Sequence, residues 1–443
     1  MTNRRHFLQK AGLLAGAFSS NSLFNQLYAA DIEKATSKIS QLNPQQVAGD
    51  EDYWSVIQQA FTVNPNIINF NNGGVSPSPK VVQDAVERYN KFSNEAPSYF
   101  MWRILDQGRE PLREKLADLA GCDANEIAIN RNATEALNTV IYGLDFSKGD
   151  EVIGTKQDYP NMIQAWRQRA AREGIQYTQI SFDFPIENDD TIVKAFEKAI
   201  TPKTKLLHIT HVVNWVGQIL PVKKIAQMAH KRGIEVLVDG AHSFGLLDFK
   251  IPDLECDYFG TSLHKFLSAP IGSGMLWIKK EKIGKIWPLL CNDKPRSNDI
   301  RKFETLGTRS FPIEQGIGEA INFHNGIGPK RKEERIRYLK NYWASKAKEI
   351  PGVKIHTSLK PEFSCAICGV SVDGMTTTEL DNALFGKYKI HCTNIVWENI
   401  KAVRITPHVY TSIQDVQKLV KALGEIASGV AWTSGSALVA RTS

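Results

Sequence analysis

An aspartate and a lysine stand at the ends of two strand patterns, where their side chains could act on a bound ligand. Residues 234–239 read Ile-Glu-Val-Leu-Val-Asp, and Asp239 is followed by Gly-Ala-His. Residues 257–265 form a second pattern that ends in Ser-x-His-Lys, so Lys265 lies 26 residues after the acid. The carboxyl ends of parallel strands meet at the edge of a sheet where such folds bind ligands. We therefore expect a carboxylate and an amine at one edge, and a desolvated amine can act as a general acid or base.

A helix start upstream is a candidate seat for a phosphate. Residues 130–136 read Asn-Arg-Asn-Ala-Thr-Glu-Ala, which indicates a strand end that turns into a helix with Thr134 near its first turn. Backbone N–H groups and a hydroxyl at a helix N-terminus bind anions well. Taken singly each signal is common, because an Asp-Gly is usually a turn, a lysine is usually solvated and Asn-Ala-Thr-Glu also fits a capping box. Their order and spacing in one chain make them informative.

The elements that must position these groups follow from the hydrophobic pattern. Seven short β-branched runs alternate with helical patterns, which predicts an α/β fold with a mostly parallel seven-stranded sheet covered by helices. The runs are residues 126–130, 151–155, 176–181, 205–211, 234–239, 258–262 and 274–278.

The pattern changes beyond residue 312, where we predict a smaller α+β domain. The predicted elements there are a charged helical region at 330–349, a strand at 365–372 and a final helix at 413–426. The predicted division is a signal segment 1–30, an N-terminal segment 31–68, a large domain 69–312, a small domain 313–427 and a flexible tail 428–443.

Composition excludes several classes of protein. The 443 residues are 42% hydrophobic and 23% charged, which suits a globular chain with a sizeable core and excludes a disordered or fibrous one. The net charge of +7 falls to +4 without the three basic residues of the first 30, so no nucleic-acid partner is expected. The six cysteines lack the paired spacings of a zinc site, so neither a metal nor a dense disulfide scaffold is expected.

The first 30 residues resemble a twin-arginine signal peptide. They carry the Arg4-Arg5 pair, then Phe7 and Leu8, and then a weakly apolar segment rich in glycine and alanine. The resemblance predicts export to the periplasm by the twin-arginine machinery, a route for folded proteins. A basic amphipathic helix of a cytoplasmic protein is the alternative, and an uncleaved anchor stays open because the cleavage pattern near Ala29 is poor. No run reaches the 18 or more apolar residues that a membrane-spanning helix needs.

The ordered motif set resembles the class V aminotransferase family from about residue 69 to residue 426. This family is the branch of the fold-type I pyridoxal phosphate (PLP) enzymes that includes cysteine desulfurases and isopenicillin N epimerase. The resemblance implies that pyridoxal 5′-phosphate is the cofactor and that Lys265 forms a Schiff base with its aldehyde. It also implies that Asp239 pairs with the pyridinium nitrogen, which keeps the ring an electron sink.

Matches around the cofactor phosphate follow from the same resemblance. Ala133 and Thr134 match the phosphate-binding helix start, and Ser262 and His264 match the contacts just before the lysine. Thr308 matches a residue that reaches the phosphate held by the partner subunit. The resemblance therefore implies a homodimer.

Four further matches concern the cofactor ring and the substrate. Tyr159 falls where the family places an aromatic side chain, commonly a histidine, stacked on the ring. Asn214 matches the residue beside the phenolic oxygen, and His242 belongs to the same neighbourhood. Arg404 matches the arginine that binds the substrate carboxylate in a bidentate fork.

The reaction is less constrained than the cofactor, because pocket residues dispersed in the sequence decide it. Cys392 lies 12 residues before Arg404 but lacks the flanking pattern of a desulfurase cysteine, and the pair Cys365 and Cys368 is predicted to be structural, on opposite faces of a strand. Residues 69–77 and 97–103 look more like the isopenicillin N epimerase-like branch.

We therefore expect an epimerase- or aminotransferase-type enzyme that acts on the amine-bearing carbon of an amino acid or peptide-like metabolite. A cysteine desulfurase or carbon–sulfur lyase is the alternative enzyme. A non-catalytic PLP-fold binding protein is the alternative from another class, and the intact set of Asp239, Lys265 and Arg404 argues against it.

Overall fold

The computed structural model describes residues 32–429 of the chain. The predicted signal peptide, and the predicted tail from residue 430 onward, lie outside the described residues. Among the described helices, none is both long and apolar enough to cross a membrane.

A seven-stranded sheet forms the centre of the larger part of the fold. In chain order its strands are β1 (Ile127–Asn130), β2 (Glu151–Thr155), β3 (Gln176–Ile180), β4 (Thr204–Thr210), β5 (Glu235–Asp239), β6 (Tyr258–Ser262) and β7 (Gly274–Ile278). Their spatial order is β1-β7-β6-β5-β4-β2-β3. Strand β7 runs antiparallel to both of its neighbours, and the other described pairs of this sheet are parallel. The predicted mostly parallel seven-stranded sheet is therefore confirmed.

Helices cover both faces of this sheet, which explains why its central strands are largely buried. Successive side chains of a strand point to opposite faces. Val236 and Val238 of β5 accordingly belong to one apolar cluster, and Leu237 between them belongs to another. Between residues 44 and 327 the α-helices are Pro44–Val47, Glu51–Gln58, Lys80–Glu95, Pro97–Phe100, Arg109–Ala120, Ala133–Gly143, Pro160–Glu173, Asp189–Ala199, Val222–His230 and Phe311–Ile327.

A four-stranded antiparallel sheet follows toward the C-terminus. Its strands are β8 (Val353–Ile355), β9 (Cys368–Val372), β10 (Thr393–Trp397) and β11 (Ile400–Ile405), in the spatial order β10-β11-β9-β8. The helices that share its apolar core are Pro329–Lys348, Thr377–Tyr388 and Ile413–Ala427. This is the smaller α+β unit that the hydrophobic pattern predicts.

The strand predicted at residues 365–372 starts later than expected, at Cys368. Cys365 and Ile367 instead pack into an apolar cluster with Val212 and Phe266 of the larger part. The segment before β9 therefore joins the two parts of the fold, and its backbone does not pair in the sheet.

Because β9 starts at Cys368, the structural role of Cys365 and Cys368 rests on their burial and not on their positions along one strand. They do not lie on opposite faces of one strand, because only Cys368 belongs to the strand. Both thiols are free and buried, and burial raises their pKa to about 12 and about 11 respectively. Protonated, buried thiols are poor nucleophiles, so the structural interpretation of this pair stands on burial.

The segment before the sheet packs with elements near the C-terminus. The two-residue strand Ile68–Asn69 pairs in parallel with Ile390–His391, and Asn71 forms a bridge with Thr406. The predicted boundary at residue 312 falls inside the helix Phe311–Ile327, so the division into domains remains a prediction.

Candidate active site

Asp239 lies at the carboxyl end of β5, in the middle of the sheet. It pairs in register with Thr210 of β4 on one side and with Gly260 of β6 on the other. Its Oδ1 accepts the N–H of Ala241 at 2.9 Å, and its other oxygen has no hydrogen-bond partner among the described residues. Burial raises the pKa of this carboxyl, and the hydrogen bond from Ala241 opposes that rise.

Lys265 follows β6 and reaches the same edge of the sheet. Its Nζ lies 2.9 Å from Nε2 of His242, a residue that comes just after Asp239 in the chain. Loss of contact with water lowers the pKa of Lys265 to about 8, and the charge of Asp239 opposes this shift. Burial and the neighbouring Lys265 hold the pKa of His242 well below its usual range, so the imidazole is neutral. A neutral imidazole accepts at Nε2 and is left with an unpartnered Nδ1–H.

The helix Ala133–Gly143, the predicted phosphate seat, begins next to the end of β6. Asn132 caps the helix by accepting the N–H of Glu135. Ser262 at the end of β6 accepts the N–H of Ala133 at 2.9 Å, so two predicted phosphate ligands touch each other. The backbone N–H and the hydroxyl of Thr134 bond no other group in the described part of the chain. The helix start therefore keeps free donors for an anion.

Strand β7 approaches this helix start so closely that only glycine fits at its first position. A Cβ on Gly274 would lie 2.5 Å from the backbone nitrogen of Asn132. Close packing of strand against helix thus fixes the direction of the first helical turn.

His264 sits between β6 and the lysine and is held by backbone groups. Its Nδ1 lies 3.0 Å from the carbonyl oxygen of Ser273, and because a carbonyl only accepts, Nδ1 carries the proton. Its own carbonyl accepts the N–H of Ser76 at 3.1 Å. Nε2 of His264 is left for another partner, and the segment around Ser76 is tied to the lysine loop.

Arg404 comes from β11 of the smaller sheet and faces the larger one. Its NH1 donates to the carbonyl oxygen of Asn214 at 3.0 Å, and its NH2 donates to Oδ1 of Asn71 at 2.9 Å. Its Nε has no partner, and neither has Oδ1 of Asn214. The side chain is 6% exposed, and burial lowers its pKa to about 10, which still leaves it charged at neutral pH.

Gly73 packs closely against the guanidinium of Arg404. A Cβ on Gly73 would lie 3.4 Å from Cζ of Arg404 and 3.2 Å from Oγ1 of Thr406. The Asn-Asn-Gly-Gly segment that starts at Asn71 therefore covers Arg404 closely.

Two predicted residues lie near the site without a contact that tests their role. Tyr159 is the N-cap residue of the helix Pro160–Glu173 and is 41% exposed. Its phenol interacts electrostatically with Arg404, so the two residues lie on the same side of the site. Stacking of its ring remains a prediction. Thr308 is exposed and lines a cavity of about 310 Å³ with Arg131 and Gly272, and its predicted reach into a partner subunit also remains a prediction.

Sequence reasoning gave no role to Asp158 and His208, which the structure places near Asp239. Asp158 is fully buried in the loop three residues after β2, and His208 is fully buried within β4. Burial lowers the pKa of His208 to about 4, against the opposing charge of Asp239. The rule that singled out Asp239, an acid where a parallel strand ends, could also have singled out Asp158.

The unpartnered groups of the site fit pyridoxal 5′-phosphate. A free carboxylate oxygen of Asp239 suits a ring N–H, and the free Nδ1–H of His242 suits a phenolic oxygen, whereas the unpartnered Oδ1 of Asn214 can only accept. The donors of Thr134 suit a phosphate, and the amine of Lys265 suits an aldehyde. Bound in this site, each polar part of the cofactor would thus find a group of matching chemistry.

A lysine and a strand-end acid on a seven-stranded, mostly parallel sheet define a class, the fold-type I enzymes that depend on pyridoxal 5′-phosphate. The sequence agrees at a finer level. Residues 67–419 match the aminotransferase class-V family, so the chain belongs to that family and is a PLP-dependent enzyme.

Relatives in this family differ in reaction. The chain is 27% identical to isopenicillin N epimerase of Amycolatopsis lactamdurans over 392 residues, which cover 84% of this chain and 98% of that protein. It is 28% identical to a probable cysteine desulfurase of Halalkalibacterium halodurans over 394 residues, 83% of this chain and 95% of that protein. Among solved structures it resembles the cystine C–S lyase C-DES bound to its product cysteine persulfide, with 25% identity, a TM-score of 0.75 and coverage of 82% of this chain and 98% of that one.

Proposed function

We propose that this enzyme acts at the amine-bearing α-carbon of an amino acid or a peptide-like metabolite, in the manner of an epimerase or an aminotransferase. Arg404 provides a buried cation with an unpartnered Nε–H, which suits a substrate carboxylate. Asn71 already occupies NH2 of the guanidinium, so the carboxylate would bind on the side of Nε. The similarity to isopenicillin N epimerase over most of both chains supports a reaction at the substrate α-carbon.

Lys265 would move the α-proton in this reaction. Bound pyridoxal 5′-phosphate supplies an electron sink for the substrate α-carbon. Asp239 would hold the proton at the ring nitrogen, and Lys265 would take the α-proton and return it. A lysine with a pKa of about 8 exchanges a proton readily near neutral pH, and the neutral His242 beside Nζ can accept from it.

The contrast between Lys265 and Cys392 is the observation that favours an epimerase or aminotransferase over a cysteine desulfurase. A desulfurase needs a thiolate that attacks sulfur. Cys392 is buried, its Sγ lies 3.1 Å from Oδ1 of Asp381, and burial and this contact raise its pKa well above the usual value. The thiol is therefore held protonated within the core of the smaller sheet, where it cannot serve as a nucleophile.

Exchange of the substrate α-hydrogen, independent of Cys392, is the expected result in heavy water. A true substrate should gain deuterium at its α-carbon at the same rate, within about twofold, in the wild type and in Cys392→Ala, because Lys265 carries the proton. Mass spectrometry of the substrate measures the exchange. Cys291→Ala is the matched control, since Cys291 is the exposed cysteine among the six.

Two outcomes would contradict the proposal. Cysteine-dependent sulfide release that disappears in Cys392→Ala would establish a desulfurase. Absence of any change in the cofactor absorption spectrum with a panel of amino acids and small peptides would instead favour a non-catalytic binding protein.

We also propose that the enzyme is a homodimer. Thr308 and Gly272 line one cavity, and Ile271 beside Gly272 is 68% exposed, which is unusual for a large apolar side chain. A second subunit placed there would cover Ile271 and bring a partner residue toward the cavity.

Export by the twin-arginine route is a further proposal, which concerns residues outside the described part of the chain. Replacing Arg4 and Arg5 with lysine keeps the charge and should retain the protein in the cytoplasm, because the machinery recognises the arginine pair itself. Fractionation followed by immunoblotting measures the outcome. Equal recovery of variant and wild type from the periplasm would refute the proposal.

A further inference from the structure

A second carboxylate, Asp158, is buried near enough to Asp239 for the two charges to interact. It follows β2 and is fully buried. It accepts three hydrogen bonds, from the N–H of Thr155 at 2.7 Å, from the hydroxyl of Thr155 at 2.8 Å and from the hydroxyl of Thr210 at 2.8 Å. Because every partner donates, the arrangement suits an ionised carboxylate.

Thr210 links the two acids. It belongs to β4, which pairs with β2 on one side and with β5 on the other. Its hydroxyl bonds Asp158, and its backbone is in register with Asp239. The two carboxylates therefore lie at the same edge of three adjacent strands, and the charge of Asp158 contributes to raising the pKa of Asp239.

No basic side chain in the described residues forms a hydrogen bond with Asp158. The hydroxyl groups of Thr155 and Thr210 donate to it, the phenol of Tyr177 lies close enough to interact with its charge, and burial raises its pKa to about 6. A turn of this kind needs an acceptor but does not need a charge, since an asparagine also accepts from backbone and hydroxyl groups. A buried charge without a cation is costly, so a compensating cation nearby is expected.

We propose that Asp158 is a positioning residue that acts through Asp239, and that its charge helps to keep the proton on the ring nitrogen of bound pyridoxal 5′-phosphate. The protonated ring nitrogen is the cation that the two carboxylates share. This inference rests on the proposed function, because it takes Asp239 as the partner of that nitrogen.

The direct test follows the ring nitrogen itself. The apoprotein is reconstituted with pyridoxal 5′-phosphate labelled with nitrogen-15 in the ring, and the chemical shift is measured against pH. In Asp158→Asn the pH at which the ring nitrogen loses its proton should fall by about one unit, which is the effect expected from removing one charge about 10 Å away. The value of kcat should fall about tenfold and KM should stay within about twofold, because Asp158 does not touch Arg404.

Thr155→Val is the matched control. It removes a hydroxyl bond to Asp158 and keeps the charge, so the ring nitrogen should titrate as in the wild type. An equal shift in Thr155→Val and Asp158→Asn would overturn the inference, because geometry of the turn would then explain the effect. If Asp158→Asn is insoluble, Asp158→Ser carries the same measurement, since it leaves room for water beside Thr155 and Thr210.

Asp239→Asn, measured in parallel, separates this inference from the proposed function. If the nitrogen stays protonated in Asp239→Asn, the role proposed for Asp239 is wrong and the inference falls with it. If Asp239→Asn removes the proton but Asp158→Asn leaves the titration unchanged, only the inference about Asp158 is overturned.

Discussion

Replacing Lys265 with alanine should abolish the covalent link between protein and cofactor and lower kcat by about 10²–10⁴-fold. The amine of Lys265 is the group placed among Asp239, His242 and the helix start at Ala133. Treatment with borohydride followed by peptide mass analysis should find a pyridoxyl group on Lys265 in the wild type and none in Lys265→Ala. Attachment to the wild-type apoprotein should speed up as the pH rises through about 8, because the neutral amine is the nucleophile.

Other lysines of lowered pKa provide an internal control for this experiment. Burial lowers the pKa of Lys332 to about 7 and that of Lys302 to about 8, but both amines donate to backbone carbonyl oxygens. Position, and not pKa alone, should therefore select Lys265. Lys265→Arg keeps a cation and should lose the link as completely as Lys265→Ala, and a labelled Lys332 or Lys302 in either variant would contradict the assignment.

Asp239→Asn should bind the cofactor within about tenfold of the wild type and lose about 10²–10³-fold in kcat. An asparagine oxygen can still accept from Ala241, so the local fold persists. Its amide would then face the ring nitrogen with a donor, which favours the unprotonated ring and weakens the electron sink. Equilibrium binding to the apoprotein and steady-state kinetics measure the two effects separately.

Asp257→Asn is a suitable control for Asp239→Asn. Asp257 is also a buried carboxylate, but it precedes β6 at the opposite end of the strands and pairs with His230 and Lys282. Its replacement should lower thermal stability with little effect on turnover. Unchanged turnover in Asp239→Asn would rule out the role proposed for this acid.

The sequence predicts the large sheet well, because buried parallel strands are short β-branched runs with clear ends. All seven predicted runs correspond to strands, with ends that agree within about one residue, the usual uncertainty of strand boundaries. Asp239, Ser262 and Lys265 could be placed at one edge for the same reason. The ends of these strands can be recognised in the sequence, and the carboxyl ends of parallel strands lie at the same edge of a sheet.

Contacts between distant segments could not be predicted in this way. The hydrogen bond of Asn71 to Arg404 joins a loop to a strand of the other sheet, and nothing local in either segment indicates it. The late start of β9 has a similar cause, because Cys365 is as apolar as a strand residue but packs against the larger part of the fold. Asp158 was overlooked because a carboxyl group in a short polar loop is rarely buried.

The separation of 333 positions between Asn71 and Arg404 has a consequence for the order in which the enzyme is made. During translation Asp239 and Lys265 are synthesised close together in time. Asn71, in contrast, is synthesised long before Arg404, its hydrogen-bond partner. Contacts of such long sequence separation also form slowly in folding. The cofactor-holding edge can thus be assembled on the nascent chain before the carboxylate-binding face exists. A polypeptide that ends before residue 404 would contain every group proposed to hold the cofactor within one subunit. It would lack Arg404, the cation proposed to bind the substrate carboxylate.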